Sequence, residues 1–297
     1  MIEQPEVPYT TAADVAAGVA AYDAHAVRGV VATPRYRLAY VDWMGGDRGT
    51  ILFVHGLSDQ ARSFAMVMHR LVAAGWRCVG VELADGRHDG ANLGTYRHRH
   101  HADDIVVLLD HLRLGTINVF ASSYGSTVAL RLLTLYPGRV RRCVLQGGFA
   151  RRPLKTPEIA AARLARFLPG TMADLPRRDR AMAAVDGPQF AGADPAAYRF
   201  MLACSGRSPI RAVADRAVVL STLDLRPLLP AVKTPILMVG GAADRIVPRW
   251  CEGELEAGLA AARRIELPGG HYPQYTLPGP TAAAVLGFVG GSAADPL

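Results

Sequence analysis

The sequence predicts an α/β domain in which a mostly parallel sheet carries helices on both faces and is interrupted by a helical insertion. Segments with strand and helix patterns alternate along the chain, as they do in successive βαβ units. Most of the strand-like segments are apolar without a break, which is typical of strands covered on both faces. Between residues 150 and 230 the alternation stops, and it resumes afterwards.

Seven segments have the pattern of a strand. The first alternates apolar and polar residues, whereas most of the others are continuous apolar runs. In chain order they are 35–43, 50–56, 77–83, 116–121, 142–148, 234–241 and 263–267. Helical patterns occupy the intervals between them, at 59–74, at 99–113, after residue 123, at 249–261 and at 280–289.

The length of 297 residues fits one α/β domain with an insertion better than two independent domains. We therefore predict a core in two parts, residues 1–149 and 231–297, of which 1–33 form an N-terminal extension. Residues 150–230 hold many prolines and short helical patterns rich in Ala and Arg, but no convincing strand. We predict that they form a helical cap, or lid, over the core.

Composition argues against several classes of function. The four cysteines are widely spaced and form no C-x-x-C pair, so neither a metal nor another cofactor is expected. No apolar run has the length of a membrane span. The acidic first residues do not resemble a secretory leader, so we expect a cytoplasmic protein. Although the net charge is +7, no nucleic-acid-binding motif accompanies it, and nothing indicates the oligomeric state.

The positive charge is concentrated in the predicted cap, which has 13 basic and seven acidic residues. These arginines could attract anionic substrates, an effect that salt would screen, or they could lie on a solvated surface. Six apolar side chains of the cap are expected to face the substrate as a group, although each could instead fill the small core of the cap and its seam with the main domain: Leu164, Phe167, Leu168, Phe200, Met201 and Leu202.

The segment ASSYG (121–125) lies between a predicted strand and a predicted helix. A sharp turn that exposes a serine at this junction needs small residues two positions before and after it, because the backbones crowd there. Of the three nearby serines, only Ser123 has such neighbours, Ala121 and Gly125. Ser123 is therefore the candidate nucleophile. For this fragment alone, a serine that caps the following helix is the alternative.

A serine hydroxyl becomes a nucleophile when a base removes its proton and a third group orients that base. Asp244 follows the predicted strand 234–241, and His271 follows 263–267. Both side chains are thus expected at strand ends, in the order serine, acid, histidine. The long stretch between Ser123 and Asp244 is what an insertion would produce. Asp224, which precedes the acid strand, is a weaker alternative to Asp244.

The segment FVHGLSD (53–59) ends the second predicted strand and is expected to supply an oxyanion hole. Backbone N–H groups are needed where negative charge develops on an attacked carbonyl. Gly56 allows the chain to turn close to the site, so the Leu57 N–H is expected to act together with the Tyr124 N–H. A catalytic role is conceivable for His55, but support of this loop is the favoured interpretation.

The motifs HGLSDQARSF, ASSYGS, GGAADRIVP and PGGHYP resemble those of the α/β-hydrolase superfamily, and within it those of capped serine hydrolases of the esterase and lipase type. The resemblance covers 35–149 and 231–290. It implies an eight-stranded core with Ser123 as nucleophile, Asp244 as acid and His271 as base, and with the oxyanion donors already named.

The expected activity is the hydrolysis of a small carboxylic ester through an acyl-enzyme on Ser123. Hydrolysis of C–C, thioester or amide bonds uses the same triad and stays open. Outside the enzymes, a non-catalytic binding protein that keeps the fold is the alternative. Two sequence features separate this chain from many relatives, since Ser122 replaces a histidine and Ser126 replaces a glycine.

A few other polar or reactive groups need an interpretation. The segment YRHRHHADD (96–104) combines three histidines with two carboxylates, which a metal site or the solvated start of a helix could explain. We favour the helix start. Asp85 and Asp89 follow a central strand and could line the mouth of the active site. Trp250 and Cys251 are expected to be packing residues.

Overall fold

The computed structural model describes residues 8–87 and 89–291 and contains one sheet of eight strands. The strands are β1 (Val27–Ala32), β2 (Arg37–Trp43), β3 (Thr50–Val54), β4 (Arg77–Val81), β5 (Ile117–Ser122), β6 (Val140–Gln146), β7 (Ile236–Gly241) and β8 (Ala262–Leu267). Their spatial order is β1-β2-β4-β3-β5-β6-β7-β8. The strands from β4 to β8 in this order are parallel, and β1 and β2 form an antiparallel hairpin at one edge. The predicted mostly parallel sheet is confirmed.

The parallel strands end at the same edge of the sheet. Ala121 near the end of β5 pairs with Val54 at the end of β3 and with Leu145 of β6. Gly241 at the end of β7 likewise pairs with Leu267 at the end of β8. The loops that follow these five strands therefore lie together, and they contain all the residues that the sequence analysis assigned to a catalytic site.

Helices cover both faces of the sheet. In chain order they are α1 (Ala12–His25), α2 (Ala65–Ala73), α3 (His98–His111), α4 (Tyr124–Leu135), α5 (Thr156–Ala165), α6 (Arg178–Val185), α7 (Pro195–Gly206), α8 (Ile210–Leu220), α9 (Arg249–Gly258), α10 (Pro273–Thr276) and α11 (Pro278–Gly290). One apolar cluster joins α1, α2 and α11 to the sheet, and another joins α3, α4 and α9 to it. Every residue of β3 and β5 is buried as a result.

Strand β1 lies within the predicted N-terminal extension and is the eighth strand of the sheet. Its pattern is weak in the sequence because it is an edge strand. Val27 is 66% exposed and Val30 is 58% exposed, so apolar residues fall on the outer as well as the inner face. Helix α1 precedes it and begins at Thr11, whose side chain and that of Asp14 form a reciprocal capping box.

The residues before α1 join two parts of the molecule. The N–H of Thr10 donates to the carbonyl of Thr276, at the end of α10, over 2.8 Å. The carbonyl of Thr10 accepts a hydrogen bond of 3.1 Å from the N–H of Asp194, which caps α7. Helix α1 then packs on α2 and α7. The N-terminal segment is therefore integrated into the fold.

Helices α5 to α8 form an insertion between β6 and β7, which we call the cap. Within it α5 packs on α8, and α7 packs against α1 and α10 of the core. Throughout the described residues, no helix has both the length and the apolar character to cross a lipid bilayer. Nor do three or more His, Cys, Asp or Glu side chains in those residues come together as metal ligands would.

Candidate active site

Ser123 occupies the turn between β5 and α4 with φ of 52° and ψ of −117°. A non-glycine residue rarely adopts this backbone conformation, which costs on the order of 1–3 kcal/mol. The turn also requires Gly125, because a Cβ there would lie 2.3 Å from the carbonyl oxygen of Val54. The structure thus places Ser123 at the sharp turn, where the small flanking residues predicted it.

The two neighbouring serines have other partners. The Ser122 hydroxyl accepts a hydrogen bond of 3.0 Å from the side-chain amide of Gln146. The Ser126 hydroxyl donates to the carbonyl of Ser123 over 2.6 Å. The Ser123 hydroxyl makes no such contact within the described residues, and its side chain borders a cavity of about 150 Å³.

Asp244 and His271 lie in the loops after β7 and β8 and contact each other. The imidazole Nδ1 is 2.7 Å from the Asp244 Oδ2. The other carboxylate oxygen accepts hydrogen bonds from the N–H groups of Ile246, at 2.8 Å, and Val247, at 2.9 Å. These donors fix the carboxylate. An ionised carboxylate can only accept hydrogen bonds. The His271 Nδ1 must therefore carry the proton that it donates to Asp244, and the lone pair of Nε2 is free.

Burial and charge act in opposite directions on this pair. Burial tends to raise the pKa of Asp244, but the His271 imidazole and the two N–H donors outweigh it and hold that pKa below its ordinary value. Burial tends to lower the pKa of His271, but Asp244, Asp186 and Asp59 outweigh it and raise that pKa above its ordinary value. The carboxylate therefore remains ionised and stabilises a protonated imidazole.

Gly147, in the loop after β6, leaves room for the imidazole. Its φ of 54° is unfavourable for a side chain, and a Cβ would lie 2.7 Å from the His271 Cε1. Any other residue at this position would collide with the ring or strain the loop. The end of a fourth strand thus contributes to the site without a reactive side chain.

The cavity brings the candidate residues together. Ser123, His271, Leu57 and Tyr124 all border it, although Ser123 Oγ and His271 Nε2 are not within hydrogen-bonding distance of each other here. Contacts of this kind often shorten only when the substrate binds. Among the described residues, the backbone N–H groups of Leu57 and Tyr124 have no hydrogen-bond partner, so both are available to an incoming oxyanion.

His55 is placed beneath this loop and is not part of the cavity. Its Nδ1 donates to the carbonyl of Gly56 over 2.8 Å, and its Nε2 accepts from the N–H of Leu83 over 3.1 Å. Burial and the charge of Arg216 lower the pKa of His55 to about 3, so the ring is neutral. Both ring nitrogens are engaged in supporting the loop. Gly56 has no positive φ, and a Cβ on it would lie 3.6 Å from the Ser123 Cβ.

The cap contributes a buried arginine to the same loop. Arg216 of α8 is only 5% exposed. Its guanidinium donates to the carbonyls of Leu57 at 2.8 Å, Leu83 at 2.9 Å and Ala84 at 3.0 Å. Nearby, the Ser208 hydroxyl of the cap donates to the carbonyl of Ser58 over 2.6 Å. The cap therefore determines where the candidate oxyanion loop lies.

A second cap residue holds the histidine loop. The side-chain oxygen of Gln189 accepts hydrogen bonds from the N–H of His271, at 2.8 Å, and from the N–H of Arg245, at 3.4 Å. It thus connects the loops that carry Asp244 and His271. Asp186, one turn earlier, accepts a hydrogen bond of 2.8 Å from the hydroxyl of Tyr272, which borders the cavity.

The sequence model of the alpha/beta hydrolase fold family matches residues 49–278. This range covers most of the chain and includes the serine turn, the acid and the histidine. The chain belongs to the α/β-hydrolase family. The resemblance of the four sequence motifs is thereby confirmed.

Relatives of this α/β hydrolase support the same assignment. An AB hydrolase superfamily protein of Bacillus subtilis, YisY, is 25% identical over 239 residues, which cover 79% of this chain and 88% of that protein. The crystal structure of a hydrolase from Pseudomonas aeruginosa PA01 superposes with a TM-score of 0.76 at 20% identity, over 89% of this chain and 98% of that one. An esterase from Exiguobacterium antarcticum gives a TM-score of 0.75 at 19% identity, over 88% and 98%.

Several expectations about this α/β hydrolase are wrong. Leu164 and Phe167 do not face the cavity, since they are 75% and 85% exposed, and Leu168 is exposed as well. Phe200 and Met201 are buried in the apolar cluster that contains α1, α2 and α11, and Leu202 packs against it. These three residues therefore fill the seam between the cap and the main domain, which was the alternative expectation. The cap residues that do border the cavity are Pro153, Leu154 and Leu220.

The histidine-rich helix start is packed and not solvated. His98 and His101 are buried, and their rings lie 5.1 Å from that of Tyr124 and 4.7 Å from that of Tyr96, respectively. Burial lowers the pKa of both histidines, that of His98 to about 3. These rings are therefore uncharged aromatic packing groups under α4.

The remaining candidates lie away from the nucleophile. Asp85 and Asp89 border another cavity, of about 490 Å³, which has Asp59 in common with the cavity at Ser123. Asp224 pairs with Arg226 at the surface. Cys251 is fully buried, as a packing residue should be, whereas Trp250 is 42% exposed and lies under the Arg151 guanidinium, so the expectation that it packs in the interior is wrong.

Sequence reasoning did not identify Asp59, Gln189 or Arg216. Only Asp59 had a sequence signal, because it follows the candidate oxyanion residue by two positions. Gln189 and Arg216 lie in the cap, where no motif marks them.

Proposed function

We propose that this α/β hydrolase is a serine esterase that cleaves carboxylic esters through an acyl-enzyme on Ser123. One observation carries the proposal. Ser123, on a turn with φ of 52°, shares a cavity with His271, whose Nδ1 lies 2.7 Å from the Asp244 carboxylate. Nucleophile, base and orienting acid therefore occur in one place, as acyl transfer requires.

In the first half-reaction, His271 Nε2 takes the proton of the Ser123 hydroxyl while Oγ bonds to the ester carbonyl carbon. The carbonyl oxygen becomes an oxyanion, which the N–H groups of Leu57 and Tyr124 stabilise. When this intermediate collapses, the carbon–oxygen bond to the alcohol breaks. The imidazolium returns its proton to the leaving oxygen, and the acyl group stays on Ser123.

In the second half-reaction, water attacks the acyl carbon and gives a proton to His271. Collapse of the second intermediate breaks the bond to Oγ, which regains the proton, and the carboxylic acid departs. Throughout both steps the Asp244 carboxylate keeps the proton-bearing Nδ1 directed at itself and stabilises the imidazolium. The cavity supports small substrates, since it measures about 150 Å³ and is lined by Phe149, Leu154, Leu220 and Val247 as well as by the polar groups.

The proposal is tested with short-chain p-nitrophenyl esters and a fluorophosphonate probe. We expect the wild type to hydrolyse the esters and to be labelled, Ser123→Ala to lose both properties, and Ser122→Ala to keep them. Activity that survives Ser123→Ala would contradict the assignment of the nucleophile. Labelling without ester hydrolysis would indicate thioester, amide or C–C substrates, which a matched panel identifies. If the wild type is not labelled and hydrolyses none of the substrates, the result would indicate a binding protein.

A further inference from the structure

We propose that Asp59 selects substrates carrying a protonated amine, which its carboxylate binds inside the active-site cavity. This inference rests on the proposed ester hydrolysis at Ser123 and names the class of substrate for that site. Asp59 lies in the loop after β3, two residues beyond Leu57, and borders the same cavity as Ser123.

The Asp59 carboxylate lies close to the nucleophile. A Cβ placed on Gly56 would be 3.6 Å from the Ser123 Cβ and 3.8 Å from the Asp59 Oδ2. The Ser123 Cβ and the Asp59 Oδ2 are therefore no farther apart than these two distances combined. A substrate whose carbonyl carbon reaches Ser123 can thus extend a substituent to this carboxylate.

One oxygen of the carboxylate has a partner and the other has none. The Tyr275 hydroxyl donates to Oδ1 over 2.8 Å. Within the described residues Oδ2 accepts no hydrogen bond, although the residue is only 9% exposed. An ionised carboxylate that keeps one oxygen free of partners on the wall of a cleft is a candidate for binding a ligand. A ligand N–H group would supply the missing donor.

The charge of the cavity favours a cation. Asp59 and His271 are the charged or basic side chains among its described lining residues, which include no arginine or lysine. Burial raises the pKa of Asp59 to about 6, while the Tyr275 hydroxyl and His271 act to lower it and Asp186 to raise it. The carboxylate is thus mostly ionised at neutral pH. Arg207 and Arg216 of the cap border the larger cavity, which Asp59 also lines, but they do not border the cavity at Ser123.

Two pairs of isosteric esters test the inference at neutral pH. In the first, 2-(dimethylamino)ethyl acetate is compared with 3-methylbutyl acetate, and in the second, methyl 4-(dimethylamino)butanoate with methyl 5-methylhexanoate. The readout is the ratio of kcat/KM for the amine to that for its hydrocarbon isostere. A substitution that changes the basicity of His271 affects both esters of a pair equally, so this effect cancels in the ratio. We expect the wild type to favour the amine of at least one pair about tenfold or more, as a charge-assisted hydrogen bond would give.

Asp59→Asn should abolish that preference, because it removes the charge while Tyr275 can still donate to the amide oxygen. Asp59→Glu should retain part of it. Asp85→Asn alters a carboxylate that borders the larger cavity but not the cavity at Ser123, so it should leave the ratio unchanged. Equal rates for both members of each pair in the wild type, or a ratio that Asp59→Asn does not change, would overturn the inference.

Binding separates this inference from the proposed function. The four esters are titrated calorimetrically into Ser123→Ala, with and without Asp59→Asn. If the wild type hydrolyses none of them, ester hydrolysis fails, but stronger binding of an amine that Asp59→Asn removes would still support the role of Asp59. Equal binding of amine and isostere, or no binding of any ester, would overturn it.

Discussion

The guanidinium of Arg216 donates a hydrogen bond of 2.8 Å to the carbonyl oxygen of Leu57, so a side chain of the cap holds the peptide next to a proposed oxyanion donor. The same guanidinium also binds two carbonyls of the loop after β4. Since hydrogen bonds to a buried charged group are strong, we expect the cap to contribute to the shape of the oxyanion hole as well as to cover it.

Arg216→Ala should therefore reduce both turnover and stability. Three carbonyls, two of them buried, lose their donor. We expect this to lower the free energy of unfolding by about 2–3 kcal/mol and kcat/KM by about tenfold or more. Arg211→Ala is the matched control, because Arg211 is an exposed arginine of the same helix. Ester kinetics and chemical denaturation measure the two effects. Wild-type turnover in folded Arg216→Ala would contradict the positioning role.

Asp244→Asn should fold normally but lose most of its activity. The amide can present N–H to the imidazole and so favour the tautomer with the proton on Nε2, which cannot accept a proton from Ser123. A loss of up to about 10⁴-fold in kcat is expected for such a change. Asp224→Asn removes a surface carboxylate and serves as the control. If kcat falls with Asp224→Asn and not with Asp244→Asn, the acid has been assigned wrongly.

The pH dependence of ester hydrolysis should follow His271. Only the neutral imidazole can accept the serine proton, so kcat/KM should fall as pH drops through the pKa of His271, which Asp244, Asp186 and Asp59 raise above its ordinary value. Asp59→Asn removes one of these negative charges, so the acid limb should move to lower pH. A neutral ester is used for the profile, with Asp85→Asn as control. A shift to higher pH, or none, would contradict the electrostatic assignment.

Gly147→Ala should disturb the histidine without removing any reactive group. The new Cβ would come within 2.7 Å of the imidazole, so the ring must move away from Asp244 or the loop must distort. We expect kcat to drop by at least tenfold, and fluorophosphonate labelling to slow. Gly138→Ala provides a control, because a Cβ on Gly138 meets no atom within 4 Å. Unimpaired labelling of Gly147→Ala would show that the imidazole has more freedom than the structure indicates.

Selectivity for acyl-chain length should respond to Leu154 and Leu220, the cap leucines that border the cavity. Shortening either side chain to alanine enlarges the cavity, so the preference among p-nitrophenyl esters should shift toward longer chains. Because Leu220 is also buried, Leu220→Ala should cost about 2–5 kcal/mol of stability. Phe167→Ala should change neither selectivity nor stability, since Phe167 is exposed. An equal shift in all three variants would show that the cavity does not determine chain length.

The candidate site could be located from the sequence because each of its residues directly follows a strand. Ser123 is marked by Ala121 and Gly125, and Asp244 and His271 follow predicted strands whose carboxyl ends must meet in a parallel sheet. These are local patterns combined with one topological rule. The edge strand β1 escaped the same reasoning because its apolar residues occupy both of its faces.

The direction of the cap side chains could not be predicted in this way. Leu164 and Phe200 are both large apolar residues in helical segments of the cap. However, Leu164 is exposed, whereas Phe200 is buried against Tyr275. Their positions depend on how α5 and α7 pack on partners far away in the sequence. The hydrogen bonding of Asp59 could not be predicted for the same reason. Its partner, Tyr275 of α10, is far away in the sequence and binds only one of the two carboxylate oxygens.

The hydrogen bonds of Thr10 to both α10 and the start of α7 have a practical consequence for anyone producing this protein. The segment around Thr10 is part of the fold, because two backbone hydrogen bonds connect it to α10, the helix after His271, and to the cap. A recombinant form trimmed past Thr10 would leave the Thr276 carbonyl and the Asp194 N–H without these partners. A cleavable affinity tag is therefore better placed after α11 than close to α1. The same holds for the point at which the protein is immobilised on a biosensor or resin.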